Sequence, residues 1–280
     1  DLHSFPTRRS SDLLSCRISS YLLNDAKFQG ENGEALNLID AKSHSKPLEV
    51  RFEDAALNAM AFDTPYSASS SELDVRNGEA SVSLSQNLGS VTITKNLTFS
   101  PNGSYKLDVK LNGGVPYFIT PGSRPNVEVD NYTIHGVIVG KPGEAGIFDK
   151  LTSFFTDSQS TKENVEIFKD GDVDSNERIS NANIAASSDR YYTTLFYGNN
   201  MDVTVTDADK ISQVFIRSNG DFSATGYLGA KDHATLNSID PVLTNIIEYG
   251  WFTFIARPMF KFLNWLHGYI GNWGWSIVVT

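Results

Sequence analysis

Apolar and polar residues alternate along Ala80-Ser81-Val82-Ser83-Leu84-Ser85, Val91-Thr92-Ile93-Thr94 and Tyr105-Lys106-Leu107-Asp108-Val109-Lys110-Leu111. A period of two with β-branched residues predicts strands that bury one face and wet the other. Between the last two runs, Ser100-Pro101-Asn102-Gly103 predicts a turn, because Asn-Gly tolerates the positive φ of a tight reversal. The same pattern returns at residues 132–139, 190–197, 201–205 and 211–218, with Gly, Asn and Pro clusters between. Many strands at short spacing, without alternating helices, predict a mainly β fold: an antiparallel sandwich rather than a parallel α/β sheet. Three segments read as helical: residues 53–61, 146–156 and 231–237, the last just before Asp240-Pro241, where the chain leaves the sheet. There is no internal repeat and no low-complexity tract.

The pattern changes after residue 248. Residues 249–270 are rich in Trp, Phe, Leu and Ile, yet Thr253, Arg257, Lys261, Asn264 and His267 recur every three or four residues. That spacing sets all five on one narrow face of a helix. The apolar arc holds Trp251, Phe252, Phe254, Phe260, Phe262 and Trp265, together with Ile255, Met259, Leu263 and Leu266. A soluble helical subdomain is the alternative, but this arc is wider than one sheet can bury, whereas lipid accommodates all of it. With Arg257 and Lys261 on its polar stripe and Pro258 interrupting it, the segment is a poor span and is expected to lie in the plane of a bilayer surface. Gly271-Asn272-Trp273-Gly274 then breaks the pattern, and Trp275-Ser276-Ile277-Val278-Val279-Thr280 is uncharged and apolar. This run is expected to begin a transmembrane helix, which needs about 20 such residues. Trp273 and Trp275 would sit at its mouth, where indoles favour the headgroup layer.

The other end of the chain is set aside from fold reasoning. Asp-Leu-His-Ser-Phe-Pro-Thr-Arg-Arg-Ser-Ser-Asp-Leu, residues 1–13, looks like a translated sequencing adapter. A twin-arginine export signal at Arg8-Arg9 would need an apolar core after it, and none follows. The chain is therefore expected to be a fragment at both ends. The formal net charge of -10 survives removal of this segment, since Asp1 and Asp12 cancel Arg8 and Arg9. That balance argues against nucleic acid as a partner, because phosphate binding needs a basic face. Cys16 is the one cysteine and makes no internal disulfide, which fits the cytoplasm or a periplasmic domain that stands on its core alone. At 280 residues and 40% hydrophobic composition, the chain can bury one large core or two moderate ones.

An ordered set of motifs ties these patterns together. Tyr227-Leu228-Gly229-Ala230-Lys231-Asp232, Tyr249-Gly250-Trp251-Phe252, Ala256-Arg257-Pro258-Met259-Phe260 and Gly271-Asn272-Trp273-Gly274 resemble the YidC family of membrane protein insertases, in its Gram-negative form with a large periplasmic domain. Pro47-Leu48-Glu49-Val50-Arg51-Phe52, the run from Val91 to Phe99 and Ser188-Asp189-Arg190-Tyr191-Tyr192 are similar to strands of that domain. The resemblance covers nearly all of residues 14–280. It implies an antiparallel β-supersandwich periplasmic domain over residues 14–237, connecting and interfacial amphipathic helices over 238–270, and the start of the second transmembrane helix over 271–280. The implied role is that of a non-enzymatic insertase and chaperone for nascent inner-membrane proteins, acting alone or with the Sec translocon and its accessory subunits. Residues 14–270 would lie on the periplasmic side of the bacterial inner membrane, in contact with the lipid bilayer. The family's substrate groove, with its arginine in the second span, would lie beyond Thr280, so no groove residue is assigned here. Ala230 stands where the family's Pro is expected.

Other chemistry is weaker. Asp170-Gly171-Asp172-Val173-Asp174 has the carboxylate spacing that begins a calcium loop, but Ser175 occupies the place of the turn Gly and Asn181 that of the bidentate Glu. A solvated acidic loop is the preferred reading. His44, His135, His233 and His267 show no metal-ligand spacing, and no Gly-x-Ser-x-Gly elbow activates a serine. No catalytic, metal or cofactor residue is assigned, and no cofactor is expected. The competing reading is a carbohydrate-binding or mutarotase-like supersandwich domain, for which His135 and Glu128 are the one acid–base pair on offer.

Overall fold

The computed structural model describes residues 3–4, 17–23, 36–39, 43–124, 135–143, 163–247 and 253–279. At positions 3–4, 163–164, 245, 253–258, 260 and 261 it describes the backbone alone. The chain forms two compact units, Asp1–Thr244 and Asn245–Thr280.

The alternating runs become neighbouring strands of the first unit. β6 (Ala80–Asn87), β7 (Thr92–Phe99) and β8 (Ser104–Asn112) pair antiparallel, with Leu97 opposite Leu107 and Val82. Val82, Leu84, Ile93, Leu97, Leu107 and Val109 point inward, while the serines and threonines between them face water. The turn forms where Asn-Gly predicts it: Gly103 takes φ +84°, and the Asn102 side chain accepts from the Ser104 N–H at 3.1 Å. One inward position is charged. Lys95 is fully buried, and its ammonium donates to the Leu48 carbonyl at 2.7 Å and lies 4.6 Å from the centre of the Tyr66 ring. A buried cation needs such partners, because its desolvation cost is otherwise unmet.

The sheet forks at its longest strand. The predicted strands over 190–197 and 201–205 are one element, β13 (Tyr192–Ala208), bent where Asn200 takes φ +54°. Its partner β12 (Glu177–Ser188) carries a matching irregularity, with register shifts on both sides of Ala182 and φ +58° at Asn181. Such bulges raise local twist and turn a strand out of one sheet into another. The first half of β13 pairs with β15 (Phe222–Ala230), which continues through β8, β7 and β6 to the short β5 (Ser67–Ala68). The second half pairs with β14 (Ile211–Ser218), which leads to β9 (Tyr117–Ile119) and β4 (Val50–Phe52). On its far side β12 pairs with β10 (Gly136–Pro142), and β10 with β11 (Glu163–Lys169). All these pairings are antiparallel. Leu84, Ile93 and Leu107 of one branch share a single apolar cluster with Val50, Ile119, Val214 and Ile216 of the other, so the fork closes on one core. The mainly β, antiparallel class expected from the sequence is what the structure shows.

Two of the predicted helices form, each started by an aspartate. Asp54 caps α1 (Ala55–Asp63) by accepting from the Leu57 N–H at 2.7 Å, and Asp232 caps α2 (His233–Ile239) through the Thr235 N–H at 2.8 Å. The expected helix over 146–156 and the first part of the strand expected over 132–139 lie outside the described residues. A second apolar cluster gathers Tyr21, Leu23, Leu38, Ile39, Tyr192 and Leu228. It holds β2 (Leu22–Leu23), which pairs with β3 (Leu36–Asn37) and with β1, the His3–Ser4 dipeptide of the segment that sequence reasoning set aside. In the second unit, α3 (Thr253–Ile270) is followed by α4 (Trp273–Val279).

Candidate membrane-facing surface

α3 runs without a break through Pro258, whose ring removes one backbone N–H near the helix start, and continues to Ile270. Its end is set by sequence. Gly271 takes φ +68°, a conformation open to glycine at little cost, and its N–H donates to the His267 carbonyl at 2.8 Å. Asn272 then caps α4, its side-chain oxygen accepting from the N–H groups of Gly274 at 2.9 Å and Trp275 at 3.3 Å. The two helices are joined across the break by the His267 and Trp273 rings, stacked with centroids 3.8 Å apart. Ser276 is buried and donates its hydroxyl to the Asn272 carbonyl at 2.8 Å.

What this unit exposes is unusual for a protein in water. Among the described residues of the sheet unit, only Met60, Ile167 and Tyr191 are large apolar side chains left exposed. The other ten lie between Met259 and Val279. Phe262, Trp265 and Tyr269 form one stripe, since positions three and seven apart share a helix face. Phe262 stacks on Trp265 at 5.8 Å, and Trp265 meets Tyr269 edge-on at 4.9 Å. The rings thus cover one another in part and leave their outer faces to the surroundings. Contiguous apolar surface of this kind marks an interaction site.

The expected interface residues divide into three groups. Phe262, Trp265, Trp273 and Trp275 are exposed. Phe254, Arg257, Pro258, Phe260 and Lys261 lie on α3, but their side chains are outside the described residues, and Trp251 and Phe252 fall outside them altogether. Tyr269, more exposed than any of these, was not among the expected residues; its place four residues after Trp265 was the available signal. Among the described residues, no helix is long and apolar enough to cross a membrane.

Among the described residues the other candidate chemistry does not assemble into a site. Asp170 spends both carboxylate oxygens inside the fold, accepting from Arg124 Nε at 2.8 Å and from the Ser212 N–H at 2.9 Å. Among the described residues no group of three His, Cys, Asp or Glu side chains is placed to hold a metal. His135 accepts the Asp170 N–H on its carbonyl at 3.0 Å, and its expected partner Glu128 lies outside the described residues.

Sequence comparison decides the family. A profile described as the YidC periplasmic domain matches residues 10–262. The chain belongs to the YidC periplasmic-domain family. This YidC-family chain is 45% identical over 267 residues to the membrane protein insertase YidC of Campylobacter jejuni, covering 94% of the chain and 47% of that protein. It is 37% identical over 268 residues to the YidC of Wolinella succinogenes, covering 94% and 46% respectively. The chain thus spans about half the length of the curated relatives it matches. A solved structure described as an active YidC insertase with its first transmembrane domain resolved aligns over 94% of the chain and 48% of its own, at 14% identity and a TM-score of 0.36. That distant likeness adds nothing to the YidC assignment, which rests on the sequence matches.

Proposed function

We propose that the chain is the periplasmic sheet domain and interfacial helix of a membrane protein insertase, which inserts and folds nascent inner-membrane proteins alone or with the Sec translocon and its accessory subunits. The names of its relatives supply the activity. The observation that carries the membrane placement is the concentration of exposed apolar side chains between Met259 and Val279, set against a sheet unit whose described residues leave only three large apolar side chains exposed. In this reading α3 lies along the outer surface of the inner membrane. Its stripe of Arg257, Lys261 and Asn264 faces water and phosphate, and Phe262, Trp265 and Tyr269 enter the acyl boundary. Trp273 and Trp275 occupy the headgroup layer as the chain turns into its span. The sheet domain is thereby held on the periplasmic side.

Lying flat is favoured over crossing. At the bilayer centre Arg257 and Lys261 would each cost roughly 2.5 to 3.5 kcal/mol on insertion scales, and Pro258 frees a carbonyl that hydrocarbon cannot satisfy. The test is a depth profile from spin labels placed one at a time on both faces of α3 in the full chain bound to vesicles. One shallow depth at Phe262, Trp265 and Tyr269, with water exposure at Asn264, is expected. A profile that passes through the bilayer centre, or equal lipid exposure of both faces, overturns the placement.

A further inference from the structure

One turn of the sheet unit carries a side chain where its backbone favours another. Lys46-Pro47-Leu48-Glu49 closes with the Glu49 N–H donating to the Lys46 carbonyl at 3.0 Å, and Leu48 takes φ +69°. Proline in second place and a positive φ in third make this a type II turn, whose third position calls for glycine or asparagine. A leucine there is strained, because its Cβ crowds the following carbonyl oxygen. Strain of this kind persists only where the surroundings hold it.

Here several bonds do so. The Leu48 side chain is buried in the core, and its carbonyl accepts the Lys95 ammonium at 2.7 Å. The Pro47 ring lies against Gly122, where a Cβ would stand 2.7 Å from its Cδ and Cγ. Glu49 is buried, one carboxylate oxygen accepting from Arg51 Nε at 2.8 Å and the other from Arg17 Nη1 at 3.1 Å. Just before the turn, the Ser45 hydroxyl donates to Gln213 Oε1 at 2.6 Å, and the Ser45 carbonyl accepts the Ser123 N–H at 3.0 Å. The peptide between Pro47 and Leu48 is bonded on both sides. Its carbonyl accepts the Ile18 N–H at 2.9 Å, and its N–H donates to the Thr120 carbonyl at 3.0 Å. Residues 17 and 18 thus reach the turn through the peptide whose orientation creates the strain.

We infer that residues 46–49 are a two-state latch for the segment that begins at Arg17. A type II turn becomes type I when its central peptide turns over, which takes the third residue to negative φ and leaves the flanking Cα atoms almost in place. In the type II state the Pro47 carbonyl faces Ile18 and the segment is docked. In the type I state Leu48 is relaxed, but that carbonyl turns away from Ile18 and the Leu48 N–H turns away from Thr120. The docked segment therefore stabilises the strained turn and the turn holds the segment, each biasing the other by the same factor. Lys95, Arg51 and Gln213 fix the residues on either side, so the change is confined to one peptide. Ile18 packs against both apolar clusters, so its release loosens β2 from the sheet without unfolding β6 to β8. The latch lies wholly in the sheet unit and does not rest on the placement of α3.

The test is hydrogen exchange resolved to single amides in the full chain, over a range of low denaturant concentrations. Ile18 and Leu48 should exchange at one opening rate that hardly depends on denaturant, whereas Ile93 in β7 should follow global unfolding. Arg17→Gln should speed Ile18 and Leu48 together, by about three- to fivefold. Leu48→Ala and Leu48→Gly both remove the buried side chain, but alanine keeps the Cβ that strains the turn. Ile18 should therefore exchange about tenfold faster in Leu48→Ala than in Leu48→Gly. Equal rates in those two variants, or a rise at Ile18 alone in Arg17→Gln, overturns the latch. So does exchange of Ile18 and Leu48 only through the global unfolding seen at Ile93. If neither Leu48 variant folds, the parent and Arg17→Gln decide the matter by themselves.

Discussion

Trp265 offers the sharpest test of what covers α3. Its indole is 56% exposed, flanked by Phe262 and Tyr269. A tryptophan side chain buries roughly 200 Å² when fully covered, so roughly 110 Å² of this one remains in water. At about 25 cal/mol/Å², moving all of that area into lipid releases about 3 kcal/mol, and moving half of it about 1.4 kcal/mol. Trp265→Ala should therefore weaken partition of the full chain onto vesicles about 10- to 100-fold. Alanine is the best helix former, so a loss cannot be charged to melting of α3. Asn264→Ala, one position away on the expected polar stripe, should change partition by less than about twofold, because no apolar area is removed. Cosedimentation over a lipid titration reads both numbers, with helical content checked by circular dichroism. Equal partition of Trp265→Ala and the parent, or equal losses for Trp265→Ala and Asn264→Ala, would refute the claim that this face and not the other meets lipid.

Two further predictions concern the sheet unit. Burial holds the Asp189 carboxyl above the usual carboxylate range, against the pull of the Tyr192 and Tyr191 N–H bonds and the more distant cations Lys231 and Arg124. The folded state then binds the proton more tightly than the unfolded chain, so this group adds stability as pH falls through its raised value, completing the gain below the ordinary one. Asp189→Asn keeps an oxygen for both N–H groups and carries no charge; its melting temperature should lack that acid-side gain, and identical pH profiles for the two proteins would show the assignment to be wrong. Gly226 faces Tyr105 across the β15–β8 pair, and a Cβ at 226 would stand 2.1 Å from the ring. Gly226→Ala should cost about 1–3 kcal/mol, seen as a lower denaturant midpoint at unchanged slope.

How much of this fold could be read from the chain follows from where water lies. β6, β7 and β8 announce themselves because one face of each is wet, so Ser81, Ser83 and Thr94 alternate with Val82, Leu84 and Ile93. β12 and β15 do not. Ala182 to Ser188 and Gly226 to Gly229 are buried on both faces, and the positions are filled by Ser, Ala, Gly and Asn as readily as by Leu and Ile. Without a wet face there is no alternation to detect. The split reading of β13 has a related cause: Gly198-Asn199-Asn200 carries turn signals, and in the fold they mark the bend that lets one strand serve two branches. A local signal of that kind records a change of backbone direction, not whether the strand ends.

The candidate surface on α3 was legible for the opposite reason. For α3 the solvent on one side is hydrocarbon in the proposed placement, so the usual rule about which residues face outward is inverted, and an arc too broad for any sheet becomes the evident feature. Phe262, Trp265, Tyr269, Trp273 and Trp275 are exposed together because no described residue of this unit covers them. The tip of the β12–β13 hairpin left no such trace. Ser188-Asp189-Arg190-Tyr191-Tyr192 reads along the chain as strand, and Lys231 as the start of a helix. Only the pairing of β13 with β15, which sets Tyr192 opposite Ala230, brings the Lys231 N–H to the Tyr191 carbonyl. A surface written along one helix shows in its periodicity, whereas a contact between two strand ends appears only once register has brought them together.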